Sequence, residues 1–127
     1  MQINSICERR FSTRHDLTNI DAFVIVGSDD LNGVVFNISR DGLGIKFDGN
    51  PCFTVGQKLS MTFIHDFKSY FHGEKKYVIS FSAKIVRISY TENGVEIGVC
   101  LYDNDFIKYY DDVDATVFVN KFCTYRH

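Results

Sequence analysis

Apolar and polar residues alternate with a period of two along most of this chain, in runs separated by turn-forming residues. Ala22, Val24 and Val26 alternate with Phe23 and Ile25, which predicts a first strand over 20–27. The stretch Ser28-Asp29-Asp30-Leu31-Asn32-Gly33 is dense in turn formers and ends in Asn-Gly, so a hairpin is expected there. A second strand over 33–39 should place Val34, Phe36 and Ile38 on one face and Val35, Asn37 and Ser39 on the other. After a turn at Arg40-Asp41-Gly42, Leu43, Ile45 and Phe47 predict a third strand, ended by a loop at Asp48-Gly49-Asn50-Pro51.

A fourth strand is expected over 57–64, with Leu59, Met61 and Phe63 on one face, and then a polar hairpin tip over 65–76. The long fifth strand, 77–90, carries a break in phase. Tyr77, Ile79, Phe81, Ala83 and Ile85 alternate, and then Val86, Ile88 and Tyr90 take over. A β-bulge at Ile85-Val86 produces that slip, and bulges bend strands into closed barrels. Asn93-Gly94 marks another turn, followed by a sixth strand through Val95, Ile97, Val99 and Leu101. Asp103 or Asn104 can cap a short helix in which Phe106, Tyr109, Tyr110 and Val113 share a stripe that packs on the barrel's open end. The pattern assigns nothing to the tail over 115–127.

Six short strands joined mostly by hairpins predict a mainly all-β fold, a six-stranded antiparallel β-barrel with a short C-terminal helix. Residues 1–18 read as a flexible N-terminal segment and residues 19–127 as the barrel domain with its helix and tail. At 127 residues the chain is one domain, long enough to bury a core without staples. The 12 Phe and 7 Tyr favour a β-rich globule over disorder. A net charge of −2 excludes an overall footprint for duplex DNA, so any anion must meet a local cluster. Cys7, Cys52, Cys100 and Cys123 have no zinc spacing, so no metal site is expected; free thiols fit a reducing cytoplasm. Cys100 reads as a small core residue. No signal-peptide pattern or membrane-length apolar run occurs, so the chain reads as cytoplasmic with no membrane insertion.

The candidate chemistry lies in two stretches. Asn37 and Ser39 point off the same face of a strand end, and Gly42 supplies either a positive φ or room for a ligand's close approach. Upstream, Glu8-Arg9-Arg10-Phe11-Ser12-Thr13-Arg14 sets three arginines in one polar segment, two of them spaced Arg-x-x-x-Arg (Arg10, Arg14). Each stretch alone has a plain explanation: a strand-to-turn sequence and a solvated tail. Together and in this order, on a β-rich chain of this size, they resemble the PilZ domain, a family of bacterial receptors for cyclic di-GMP. Arg10 and Arg14 match the first motif; Asn37, Ser39 and Gly42 match the second, with Asn in place of Asp.

The resemblance implies a six-stranded antiparallel barrel with a flanking helix, as the pattern does. It implies cyclic di-GMP as ligand, a binding set of Arg9, Arg10, Arg14, Asn37, Ser39 and Gly42, no cofactor, no catalysis, and a protein effector of unknown identity that senses the bound state. Arginine suits that ligand because its planar fork matches guanine O6 and N7 and also pairs with phosphate. Two or three such charged hydrogen bonds at about 1.5–3 kcal/mol each, with stacking, approach the roughly 8 kcal/mol of micromolar binding. A mobile arginine segment closing over a rigid Asn/Ser shelf would act as a switch. A basic residue at Arg9 goes, within the family, with two stacked ligands.

Three other readings carry distinct marks. A PilZ-like adaptor that binds protein and not nucleotide usually lacks the arginine motif. A barrel for single-stranded nucleic acid needs a basic groove with exposed aromatics. An enzyme would have to be built on His65, Asp66, His72 and Glu74, which the pattern puts in an ordinary polar hairpin tip. His15 beside the arginines could touch a ligand phosphate, but it reads as a solvated loop residue. Lys68, Lys75 and Lys76 read as solvated loop positions.

Overall fold

The computed structural model describes residues 13–18, 21–27 and 31–125. Seven strands precede one helix: β1 (His15–Asp16), β2 (Ala22–Val26), β3 (Leu31–Ser39), β4 (Gly42–Asp48), β5 (Lys58–Ser69), β6 (Gly73–Tyr90), β7 (Gly94–Cys100) and α1 (Asn104–Tyr125). All pairings are antiparallel. Six of the strands follow one another as β3-β2-β5-β6-β7-β4, and β4 pairs with β3 again, so the ring closes and no strand of it is left as an edge. The alternation read from the sequence thus gives the expected six-stranded ring.

The inward phase fills the ring. Val24, Val35, Ile38, Ile45, Phe63, Ile85 and Ile97 are all fully buried. One end is stopped by α1, whose first turn is capped by Asp103: the Phe106 amide donates to its Oδ1 at 3.0 Å. Phe106, Tyr109, Tyr110 and Val113 are buried, as the stripe predicts. The Phe106 and Tyr109 rings meet Phe63 at centroid separations of 5.7 and 4.8 Å. The helix continues past the expected short element, with Thr116 also buried, and takes in most of the tail to which the pattern assigned nothing.

Several expectations need correction. The expected hairpin tip over 65–76 is mostly strand, because β5 and β6 stay paired from Lys58↔Lys84 to Ser69↔Gly73. Only 70–72 form the turn. Polar Asp66 and Lys68 alternate outward while His65 and Ser69 face inward onto α1, so the polar count misread an ordinary strand. Lys68, Lys75 and Lys76 are accordingly strand residues, and Lys75 Nζ lies 5.2 Å from the Tyr77 ring centroid.

Asn32-Gly33 is no turn either: these residues pair with Ile25 and Val24 inside the sheet. Glycine is needed at 33 because a methyl group there would come within 2.5 Å of Ile45 and 2.7 Å of Phe47. The face assignment in β3 fails at its middle. A bulge between Val35 and Asn37 puts Val35, not Val34 or Phe36, on the core face shared with Ile38.

The free segment expected over 1–18 does not describe 13–18. His15 and Asp16 pair with Ile38 and Asn37, and the Leu17 amide donates to the Phe36 carbonyl at 2.9 Å. His15 is not a solvated loop residue: its Nε2 lies 2.7 Å from Asp114 Oδ1 on α1. The Tyr110 hydroxyl donates to the Thr13 carbonyl. Arg9 and Arg10 lie outside the described residues, and so does most of the segment expected to clamp.

Candidate functional site

A cleft of about 260 Å3 opens on the outer wall of the ring, and Arg14, Asn37, Ser39, Asp41, Gly42 and Arg87 line it together with Leu43, Val86, Gly98 and Val99. Of the residues singled out from the sequence, Arg14, Asn37, Ser39 and Gly42 come together here. Asp41 and Arg87 were not anticipated.

The register explains how these side chains converge. Asn37 pairs with Gly44, Gly44 pairs with Gly98, and Gly98 pairs with Arg87. One row therefore runs across β3, β4, β7 and β6, with two glycines in its middle. The row spans roughly 14 Å, three strand spacings of about 4.8 Å. At each end a bulge sets two residues against one glycine: Phe36 and Asn37 oppose Gly44, and Val86 and Arg87 oppose Gly98. The bulges turn Asn37 and Arg87 to the outer face, and the glycines leave room beneath them. A methyl group at Gly44 would lie 2.6 Å from Asn37 Oδ1, and one at Gly98 would lie 2.7 Å from Arg87 Cζ. Asn37 Oδ1 and the Phe36 ring lie over Gly44, and the Arg87 guanidinium lies over Gly98, so a polar group marks either end of the row.

Ser39 sits two residues beyond Asn37 on the same face, as the alternation requires, and its hydroxyl donates to Asp41 Oδ1 at 3.1 Å. Of the two roles offered for Gly42, the positive φ does not apply. Its φ is not in the left-handed region, and a methyl group there would meet the Val99 carbonyl oxygen at 2.6 Å. Glycine is required because β4 approaches β7 closely as it leaves the turn. Arg14 reaches the cleft from beside β1, whose antiparallel register, His15 opposite Ile38, runs on toward Ser39. The cleft thus combines two guanidinium groups, an amide, a hydroxyl and a carboxylate on the outer face of the ring. Such a surface suits a planar, polar, anionic ligand.

A second polar group lies inside, between the β5–β6 hairpin and α1. The Tyr109 hydroxyl is 2.9 Å from His65 Nδ1, and Asp112 accepts from the Ser69 hydroxyl at 2.8 Å and the Tyr77 hydroxyl at 2.7 Å. Burial lowers the His65 pKa against the opposing pull of Asp21 and Asp66, which favours the neutral ring. Burial, then the bond to Asp112, pushes Tyr77 up to about 12. His65 is a packed core histidine, which separates it from His72 and Glu74 at the hairpin's exposed end. Among the described residues no cluster of His, Cys, Asp or Glu could hold a metal ion. Cys100 is buried, as expected.

Comparison with known proteins bears on this architecture. A search of curated proteins finds no match. Among solved structures, the chain resembles YcgR of Escherichia coli in complex with c-di-GMP, with a TM-score of 0.64, 13% identity, and coverage of 93% of this chain and 50% of that one. It also resembles the Bacillus subtilis inhibitor of motility MotI/DgrA, with a TM-score of 0.61, 16% identity, and coverage of 88% and 51%. The PilZ domain of YcgR with c-di-GMP matches at a TM-score of 0.60 and 12% identity, covering 93% of this chain and 96% of that one. The chain spans about half the length of the first two proteins, and at these identities the likeness is one of fold. The model of the PilZ domain matches residues 8–109, a stretch that holds both arginine and Asn/Ser/Gly motifs and every strand of the ring, and the chain belongs to the PilZ domain family.

Proposed function

We propose that this domain is a receptor for cyclic di-GMP that passes its ligand state to a partner protein and catalyses no reaction. The observation that carries the reading is the convergence of Arg14, Asn37 and Ser39 on one cleft, in a chain of this family. Guanine presents O6 and N7 to an arginine fork, and its flat face can stack on a guanidinium. The phosphates call for cationic partners, and Arg14, with Arg10 and Arg9 upstream in sequence, supplies them. Asn37 offers both donors and acceptors to the base or ribose. The two similar structures of YcgR with c-di-GMP support this choice of ligand.

Such a role belongs in the cytoplasm, where the nucleotide is made. No helix among the described residues is long and apolar enough to cross a membrane. Calorimetric titration with cyclic di-GMP tests the reading. Micromolar binding is expected, weakened at least about tenfold by Arg14→Ala and by Ser39→Ala, with thermal melts alongside to show that each variant is folded. Absence of binding at high ligand concentration overturns it and leaves the nucleotide-independent adaptor.

A further inference from the structure

We infer that Arg87 is a ligand-anchoring residue of this cleft and that Gly98 is its seat. The inference rests on the cyclic di-GMP reading and adds to it a residue outside both sequence motifs. Three observations carry it. Arg87 lines the same cleft as Arg14, Asn37 and Ser39. It stands at the opposite end of the Asn37–Gly44–Gly98–Arg87 row, and each end of that row is turned outward by its own bulge. Its guanidinium lies flat over Gly98, where a methyl group would come within 2.7 Å of Cζ and Nη1 and 2.8 Å of Nη2.

A guanidinium lying flat on a strand presents its edge along the surface of the sheet. That edge carries the N–H donors, in the cleft that Asn37 also lines. A guanine entering the cleft would meet this fork with O6 and N7. Arg14 is held by the N-terminal side of the site, while Arg87 is held by two strands of the closed ring. The rigid wall therefore contributes an arginine of its own, whose position does not depend on the segment carrying the Arg-x-x-x-Arg motif. Much of the side chain's ordering cost is met before any ligand arrives, because the bulge and the glycine already confine it.

Gly98 gives the proposal a second handle. The nearest atoms that a methyl group would meet are all at the far end of the Arg87 side chain, so Gly98→Ala moves the guanidinium and leaves the ring intact. Cyclic di-GMP titrations of the unsubstituted protein, Arg87→Ala, Arg87→Lys, Gly98→Ala and the double substitution test it, with thermal melts alongside. Arg87→Ala should weaken binding about tenfold or more, and Arg87→Lys should recover little of it, because an ammonium cannot offer the planar fork. Gly98→Ala should weaken binding in the unsubstituted background and add nothing on top of Arg87→Ala, the signature of a coupled pair. If Arg87→Ala binds within about twofold of the unsubstituted protein, or if the Gly98→Ala effect persists undiminished without Arg87, the inference is wrong while the receptor reading stands. If the unsubstituted protein binds no cyclic di-GMP, both fall together.

Discussion

Two polar clusters in this protein are built from similar side chains and sit in opposite settings. Inside, between the β5–β6 hairpin and α1, His65, Ser69, Tyr77, Tyr109 and Asp112 satisfy one another. No buried side-chain polar atom among the described residues lacks a hydrogen-bond partner. Outside, Arg14, Asn37, Ser39, Asp41 and Arg87 line one cleft, where the Ser39 hydroxyl bonds Asp41. The inner cluster locks the helix to the ring; the outer one lines an open cleft and is the site we propose for the ligand. Closure onto partners in a packed interior marks a group that stabilises, and polar groups converging on an open cleft suit binding.

The sharpest break in that contrast comes from Asp112→Ala. It leaves the Ser69 and Tyr77 hydroxyls without their shared acceptor in a buried place, at a cost of about 2–3 kcal/mol in chemical denaturation. Cyclic di-GMP affinity measured well below the melting point should not change. If affinity drops with stability, the two clusters are one unit.

A smaller effect is expected from pH. Because the folded protein holds His65 below its ordinary pKa of 6.5, the unfolded chain binds that proton more readily. The contribution of neutral His65 is whole above pH 6.5 and is lost as pH falls below it toward the depressed value. Denaturation midpoints followed through this range should decline more steeply for the unsubstituted protein than for His65→Gln. Equal slopes would mean that the ring takes up its proton without strain on the fold.

The smallest effect tests the border of the cleft. Arg40 sits between Ser39 and Asp41 in sequence but turns away to Asp111 on α1, 3.3 Å distant, with both side chains about half exposed. Arg40→Ala should therefore change stability by about 0.5 kcal/mol or less and leave ligand affinity within about twofold. A loss as large as that of Arg14→Ala would enlarge the binding set to include this pair.

The sequence alone was enough for the closed ring, because period-two alternation and turn residues are local signals and each strand carries its own. It was also enough for the bulge in β6, where Ile85-Val86 breaks the phase in full view, for the stripe and cap of α1, and for the shared face of Asn37 and Ser39, which lie two residues apart on the same side of the bulge. The bulge in β3 left no such mark: Val34, Val35 and Phe36 are all apolar, so either phase reads equally well, and only pairing with Ile45 and Gly44 decides it. His65 likewise looked polar among polar neighbours until α1 was laid over it. Arg87 could not be set beside Asn37 by any spacing, since 50 residues of chain separate them and three strand pairings bring them into one row. Gly42, Gly44 and Gly98 follow the same rule. Their side chains are missing because of what another strand brings close, and proximity between distant parts of a chain exists only once the ring has closed.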